Sequence, residues 1–352
     1  MYQNIDFIIV GGGLAGCVLA LELLNRDTNL LLVDRPLAGA ASPIAAGIAN
    51  PISGKRLVLE PDFDDKQAAL NKFALVLEQL TGYKILVELP QTRFLNTLQS
   101  QALPKLRTMP ELQRFVSENS LPDTNRENSL IISNTFRLDI QTTCRLIHNI
   151  LDSTNSRITT QLDYDELIIG SKDIRWRDFQ SKKVIFCEGW RGILNPWFNA
   201  LPFNLSKGQL LKLHQPYTQP SLSNWGQWEM QTGTERWLGA TTERNYQHLN
   251  PDIEGRDLLL ESLSLARKRH VKNLPSIQKA QIIKQYAGIR PATVDRKPFI
   301  GIHPSYPQVG IFNGFGGKGS LHIPRAAITF ADQLLFARNN HDQTRLEQLL
   351  SN

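Results

Sequence analysis

A chain of 352 residues is longer than one ordinary core fills, so one large domain or two interwoven ones are expected. Its 41% hydrophobic and 20% charged residues are the balance of a soluble globular enzyme, and a net charge of +6 is mild for this length. Three widely separated cysteines, Cys17, Cys144 and Cys187, exclude a disulfide framework and a metal-ligand spacing and suit a reducing cytoplasm, and no run of eighteen apolar residues is available to span a membrane.

The apolar run Phe7–Val10 turns through Gly11-Gly12-Gly13-Leu14-Ala15-Gly16 into the helical pattern Leu14, Val18, Leu19, Leu21, Leu23 and Leu24. A second apolar run, Leu30–Val33, stops at Asp34. Strand, tight turn, helix, strand and acid in that order make the βαβ unit that holds a dinucleotide. Gly11 permits the turn, Gly13 lets a pyrophosphate approach the backbone, and Gly16 lets the helix pack on the strand. The helix start offers free N–H groups and a positive dipole end to phosphates, and Asp34 would accept ribose hydroxyls. The first apolar run follows Asp6 rather than a basic segment, so it is not expected to be a secretory signal. Read alone, the motif admits FAD, a nicotinamide dinucleotide, or a tight turn with no ligand.

Beyond it, Asp64–Leu80 has helical periodicity with Leu70, Phe73, Val76, Leu77 and Leu80 on one face. Strands are expected at Lys84–Leu89 and Thr92–Asn96, a helix near Pro110–Val116, a polar loop over 117–128 and a strand at Ser129–Arg137. Leu138-Asp139 leads into a helix carrying Cys144, Leu146, Ile147 and Ile150, and Lys183–Gly189 is a buried strand ending in glycine. Strands follow at Lys207–Leu213, Arg236–Thr241, Ile282–Ile289, Phe299–Ile302 and Val309–Phe312, then a long helix from about Leu321 to Ala337. A helix over Arg256–Lys272 ends in the one dense basic cluster, Arg267, Lys268, Arg269, His270 and Lys272. This is read as a solvated helix end complementing the dipole, with an acidic partner such as RNA as the alternative.

No repeat interrupts this order, and no run of further βα units follows the first. The fold class expected is therefore α/β (α+β): a Rossmann-like nucleotide-binding domain assembled from 1–60, 135–205 and 285–352, with an inserted antiparallel-sheet substrate domain from 61–134 and 206–284.

Two later segments carry chemistry. Phe312-Asn313-Gly314-Phe315-Gly316-Gly317-Lys318-Gly319-Ser320-Leu321 is a strand, a glycine turn and a helix start, whose N–H groups could stabilise the negative charge of a reduced flavin. Gly288-Ile289-Arg290-Pro291-Ala292-Thr293 places an arginine between apolar neighbours, where its guanidinium could grip a carboxylate in a bidentate pair or form an interdomain ion pair.

With these segments the chain resembles, along nearly its whole length, the D-amino-acid oxidase superfamily of FAD-dependent oxidoreductases. Gly11, Gly13, Leu14, Ala15 and Gly16 with Asp34 and Arg35 resemble the family's FAD-binding start. Ser42-Pro43-Ile44-Ala45-Ala46-Gly47, with Ser42, Ala46 and Gly47 as contacts, resembles the segment beside the flavin ring. Val184–Trp190 is similar to the strand ending near FAD at Gly189 and Trp190, and Lys207–Leu211 to the strand entering the substrate domain. Residues 288–301 are close to the glycine oxidase pattern, which implies that Arg290 binds the substrate carboxylate. Residues 314–324 are closer to the oxidase domain of the bifunctional enzyme that removes a carboxymethyl group from the wobble uridine of tRNA. By the same resemblance Gly314, Gly316, Gly317, Lys318 and Gly319 contact the flavin.

There are departures from the pattern. The second arginine of glycine oxidase is Gly317 here, so any second carboxylate contact comes from elsewhere, such as Lys318. The covalent cysteine of sarcosine oxidases corresponds to about Gly288, so FAD is expected to be noncovalent. Asn50–Arg56 has no counterpart, and its Lys55 and Arg56 are read equally as substrate contacts or solvated charges. His322 is expected to pack rather than catalyse.

The resemblance implies oxidation of the C–N bond of a small amino acid or N-substituted glycine, with hydride passing to flavin N5 and the imine then hydrolysed. The electron acceptor would be oxygen or a quinone or respiratory carrier. The alternatives are an FAD-dependent tRNA-modifying enzyme acting on carboxymethylaminomethyl-uridine, a non-catalytic flavoprotein-fold module and, from the first motif alone, a nicotinamide dehydrogenase.

Overall fold

The computed structural model describes residues 2–54, 56–96, 99, 109–118, 129–270, 282–336 and 341–351. Gln3–Val10 is central to an eight-stranded sheet, pairing in parallel with Leu30–Asp34 on one side and Phe179–Phe186 on the other. Arg157–Thr159 extends one edge beyond Leu30–Asp34, and Ile174–Trp176 and Ile168–Ile169 follow Phe179–Phe186 as antiparallel strands. Tyr306–Asn313 also pairs in parallel with Phe179–Phe186, and Phe299–His303 pairs antiparallel with it.

Both faces of this sheet are covered, which is why its central strands read as unbroken apolar runs. Phe7 and Ile9 point into a core with the helices Leu14–Leu24, Ile140–Ser153 and Gly319–Phe336. Ile8 and Val10 point into the opposite core with Trp176, Phe186, Phe198 and Phe299. Asp139 caps Ile140–Ser153 by accepting the Thr142 N–H at 3.2 Å.

The second large sheet has the order Trp228–Gly239, Ser206–Asn224, Gln91–Phe94, Ser129–Ile132, Val116–Glu118, with Ile282–Arg290 paired antiparallel along the first half of Ser206–Asn224. The α/β class therefore holds. The strands of the first sheet come from 3–34, 157–186 and 299–313, and those of the second from 91–132 and 206–290.

Several local readings differ. The strand expected over Ser129–Arg137 is two strands in two sheets, because Asn134 adopts a left-handed φ of 51° between Ser129–Ile132 and Phe136–Leu138. The helix near Pro110 stops at Gln113, and Val116–Glu118 joins the sheet beside Ser129–Ile132. Arg157–Thr159, Ile168–Ile169 and Ile174–Trp176 were not anticipated, being too short for a period-2 pattern to show. Leu80, expected on the buried face of the helix Phe63–Thr81, is 56% exposed; Leu70, Ala74 and Leu77 form that face. Residues 119–128 of the expected loop, and Lys55, Lys272 and Ala337, lie outside the described residues.

Arg267 departs from the reading of a solvated basic end. It lies on the helix Ile253–His270 with its side chain only 11% exposed, 3.5 Å from the buried carboxylate of Glu229, which Arg236 also approaches at 3.1 Å. Lys268 and Arg269 remain exposed. Among the described residues no helix is long and apolar enough to cross a membrane.

Candidate active site

The end of Gln3–Val10 fixes one part of a single cavity of about 830 Å³. Gly11 follows at φ +106°, and a Cβ there would lie 2.5 Å from the carbonyl oxygen of Cys187, so only glycine fits. A Cβ on Gly16 would lie 1.9 Å from the Gly11 oxygen, so that glycine serves the contact of helix on strand and does not line the cavity. Gly13 starts Leu14–Leu24 with no side-chain cap, which leaves the positive end of the helix facing the cavity. The Leu14 N–H donates to Ser42 Oγ at 2.9 Å, tying the segment after Asp34 to the helix start.

Asp34 closes this end. A Cβ on Gly12 would lie 2.7 Å from both the Asp34 carboxylate and His148 Nε2, so the two side chains meet above bare backbone. His148 Nε2 is 3.0 Å from the Gly12 oxygen and 3.3 Å from Cys17 Sγ. Burial, reinforced by the charge of Arg157, pushes the His148 pKa down, so its neutral form is favoured. Sequence reasoning passed over His148, although its spacing from Cys144 puts both on one helical face, and both line the cavity.

Gly189 and Trp190 line the cavity beyond Phe179–Phe186, Trp190 Nε1 donating to the Ala38 oxygen at 3.2 Å. Beside them lies Glu188, also missed and half-buried. Burial raises its pKa, and hydrogen bonds donated by Tyr164 Oη at 2.6 Å and Asn195 Nδ2 at 2.8 Å counter only part of that. Its only signal in sequence was an acid at the end of an otherwise apolar strand.

The other part of the cavity is formed by the second sheet and the last glycine turn. Gly208, Leu210, Trp228, Ala240, Gly288 and Arg290 line it, together with Gly316, Gly317 and Gly319 at the start of Gly319–Phe336. Arg290 ends the strand Ile282–Arg290 and lays its guanidinium over Gly208, where a Cβ would come within 2.2 Å of it. Arg290 Nη1 donates to the Thr241 carbonyl at 3.1 Å, and among the described residues no carboxylate forms an ion pair with it. Burial lowers its pKa and Glu243 partly offsets this.

Of the residues singled out from sequence, Arg35, Ser42, Ala46 and Gly47 also line the cavity, whereas Gly16, Gly314 and Lys318 do not. A Cβ on Gly314 would lie 2.8 Å from Thr293 Cγ2, so this glycine serves packing. Lys318, considered as a second carboxylate contact, instead pairs with Glu60 Oε2 at 2.6 Å. His322 and Lys66 reach Oε1 of the same carboxylate at 2.7 and 2.6 Å. Burial alone would raise the Glu60 pKa, but the hydrogen bonds from His322, Lys318 and Lys66 outweigh it and hold the group well below the usual carboxylate range.

A bare glycine loop at a helix start, an acid after the second strand and a backbone wall without side chains form a cradle that fits an FAD pyrophosphate and ribose. In the same cavity a guanidinium that forms no ion pair with a carboxylate among the described residues fits a carboxylate ligand.

Comparison with known proteins agrees with this geometry. The family model for DAO, FAD dependent oxidoreductase, matches residues 6–333. The bifunctional protein MnmC of tRNA 5-methylaminomethyl-2-thiouridine biosynthesis from Psychrobacter cryohalolentis is 24% identical over 384 aligned positions, covering 95% of this chain and 53% of that protein. Glycine oxidase from Bacillus subtilis is 31% identical over 105 residues, 30% of this chain and 27% of that enzyme. The chain thus spans about half, and in the second case about a quarter, of the curated relatives it matches. Among solved structures, glycine oxidase from Bacillus cereus superposes with a TM-score of 0.74 over 96% of each chain at 18% identity, a likeness of fold.

Proposed function

The chain belongs to the DAO family of FAD-dependent oxidoreductases, and from that premise we propose that it oxidises the C–N bond of a small amino acid or N-substituted glycine. The observation that carries this reading is Arg290, a guanidinium without a carboxylate partner among the described residues, in the cavity that also contains Gly11, Gly13 and Asp34. FAD, when bound, would accept the hydride that leaves the substrate carbon, and with it the two electrons of the oxidation.

The chain's own residues bind, orient and exclude. The helix start at Gly13–Ala15 holds the pyrophosphate, and Asp34 accepts the ribose hydroxyls. Arg35, Ser42, Ala46, Gly47, Gly189 and Trp190 form the walls along the cofactor, while N–H groups at Gly316–Gly319 offset negative charge. Arg290 fixes the carboxylate, so the neutral amine and its α-carbon face the flavin. Trp228, Leu210 and Ala240 keep bulk water from the reacting carbon. The resulting imine is hydrolysed to an amine or ammonia and a carbonyl product, and oxygen or a quinone or respiratory carrier takes up the electrons. No cysteine occurs in 286–296, which supports noncovalent FAD. Segments 1–60, 135–205 and 285–352 serve as the FAD-binding domain and 61–134 and 206–284 as the substrate domain, in a cytoplasmic enzyme.

A second reading, removal of carboxymethyl from carboxymethylaminomethyl-uridine in tRNA, draws support from the MnmC relative, whose alignment covers 95% of this chain. It loses part of its basic surface, since Arg267 is engaged with Glu229. Anaerobic mixing of the holoenzyme with amino acids, N-alkyl glycines and carboxymethylaminomethyl-uridine tRNA tests both. Loss of flavin absorbance with a free carboxylated amine is the expected result; bleaching by the tRNA alone would favour the second reading.

A further inference from the structure

The guanidinium of Arg290 lies on the cavity side of the ladder formed by Ser206–Asn224 and Ile282–Arg290, above Gly208. Strand alternation sends Lys207 and Gln209 to the opposite side. There the Lys207 side chain is 1% exposed, with its ammonium 2.5 Å from Asp252 Oδ2 and 3.6 Å from Glu243 Oε2. Gln209 Nε2 donates to Glu243 Oε1 at 2.9 Å and to Asp252 Oδ1 at 2.8 Å, and Thr241 Oγ1 donates to Glu243 Oε1 at 2.7 Å. Backbone hydrogen bonds in both directions between Lys207 and Glu243 lock the segment in register.

Thr241 belongs to both sides of this arrangement. Its carbonyl receives Arg290, while its hydroxyl holds Glu243. Glu243 is the carboxylate whose charge Arg290 senses, yet no ion pair joins them. A carboxylate within electrostatic reach of a largely buried arginine is drawn toward it, and a closed pair could not receive a ligand.

We propose that Lys207 is a positioning residue for Arg290: with Gln209 and Thr241 it holds the Glu243 carboxylate on the far side of the strand, so that the guanidinium stays open to a substrate carboxylate. This rests on the reading of Arg290 given above. Gly208 is the thin partition between the two charge systems, and Asp252 keeps the Lys207 ammonium matched in the interior. Without Lys207, Glu243 loses its cationic partner and turns to Arg290 as an internal competitor of the substrate.

The test is titration of FAD-loaded enzyme with propionate, a carboxylate that lacks the amine, read by perturbation of the flavin spectrum, with propionamide as control. Lys207→Met is expected to weaken propionate binding about tenfold or more while FAD is retained, and adding Glu243→Gln to return it to within about threefold of the starting value. A purely structural role for Lys207 would give no such recovery. Gln209→Met, which removes the amide donor to Glu243 and an acceptor for Asp252 N–H and Gln285 but leaves the Lys207 charge paired, is expected to weaken binding several-fold, again reversed by Glu243→Gln, and serves if Lys207→Met does not fold. Unchanged propionate affinity in Lys207→Met or Gln209→Met, or weakening that Glu243→Gln does not reverse, overturns the proposal. Arg290→Ala separates the two claims. If it leaves propionate binding intact, the carboxylate reading falls and this inference with it. If it removes binding while the Lys207 and Gln209 variants bind normally, this inference alone falls.

Discussion

The two ends of the cavity are built by different means. At the Asp34 end the work is done by backbone: Gly11 fits because a side chain would strike Cys187, and the helix start at Gly13 needs no side chain to face an anion. At the Arg290 end the work is done by side chains from segments far apart, with Arg290, Thr241, Glu243, Lys207 and Asp252 joined through hydrogen bonds and ion pairs. A backbone cradle tolerates almost no change at its glycines, whereas a side-chain network can be adjusted one charge at a time.

Breaking the backbone end should have the largest effect. Gly13→Val places its Cβ 3.0 Å from Ser42 Oγ and its branches in the space of the pyrophosphate. The expected outcome is loss of FAD retention, seen as missing flavin absorbance after purification and reconstitution. In the parent protein, acid precipitation should release FAD into the supernatant. Flavin remaining with the pellet would contradict noncovalent binding.

At the side-chain end the expected loss is smaller and selective. Arg290→Ala should retain FAD but lose about 2–4 kcal/mol, on the order of 30- to 1,000-fold in kcat/KM, on carboxylated amines. Arg290→Lys should recover only part, because an ammonium lacks the planar fork. Steady-state kinetics within a few-fold of the parent for Arg290→Ala would remove the assigned role.

The contrast explains what was legible in the sequence. Gly11 to Asp34 could be read directly because local backbone demands write themselves as glycine spacing, apolar runs and an acid. Arg290 stood out through its neighbours Ile289 and Pro291. Its surroundings did not, since Lys207 and Glu243 become partners only when the segment after Trp228–Gly239 bridges back onto Ser206–Asn224. His148 and Glu188 were passed over for the same reason: each gains its meaning from the Gly12 oxygen or from Tyr164 and Asn195. Arg267 misled because adjacent cations in sequence suggest a solvated end, while the fold brings it to Glu229.

Outside the cavity lining, Glu60 tethers the last glycine turn to the rest of the molecule through Lys318 and His322. Glu60→Gln should lower stability by about 1–3 kcal/mol near neutral pH, measured by denaturant unfolding. The native pKa of Glu60 lies below its unfolded value, so its contribution is complete above about pH 5 and declines as pH falls through the carboxylate range toward the native value. The gap between parent and variant should therefore shrink on acidification. A gap that stays constant down to about pH 3 would contradict the assignment.

The smallest effect is expected at the surface. Reversing Lys268 and Arg269 to glutamate, with Arg267 left in place because it faces Glu229, should change turnover of a free amine by less than about twofold, and that activity should persist at a few hundred millimolar salt. A steep salt dependence together with loss of activity on tRNA in this double variant would favour the RNA reading.

The most direct measurement compares the anaerobic flavin-reduction rate of the parent enzyme with its best free carboxylated amine and with the corresponding amide, in which only the carboxylate is neutralised. The account predicts rapid reduction by the acid, a rate on the amide lower by on the order of 30-fold or more, and collapse of that preference in Arg290→Ala. Equal rates on acid and amide, or a preference that survives Arg290→Ala, would contradict it.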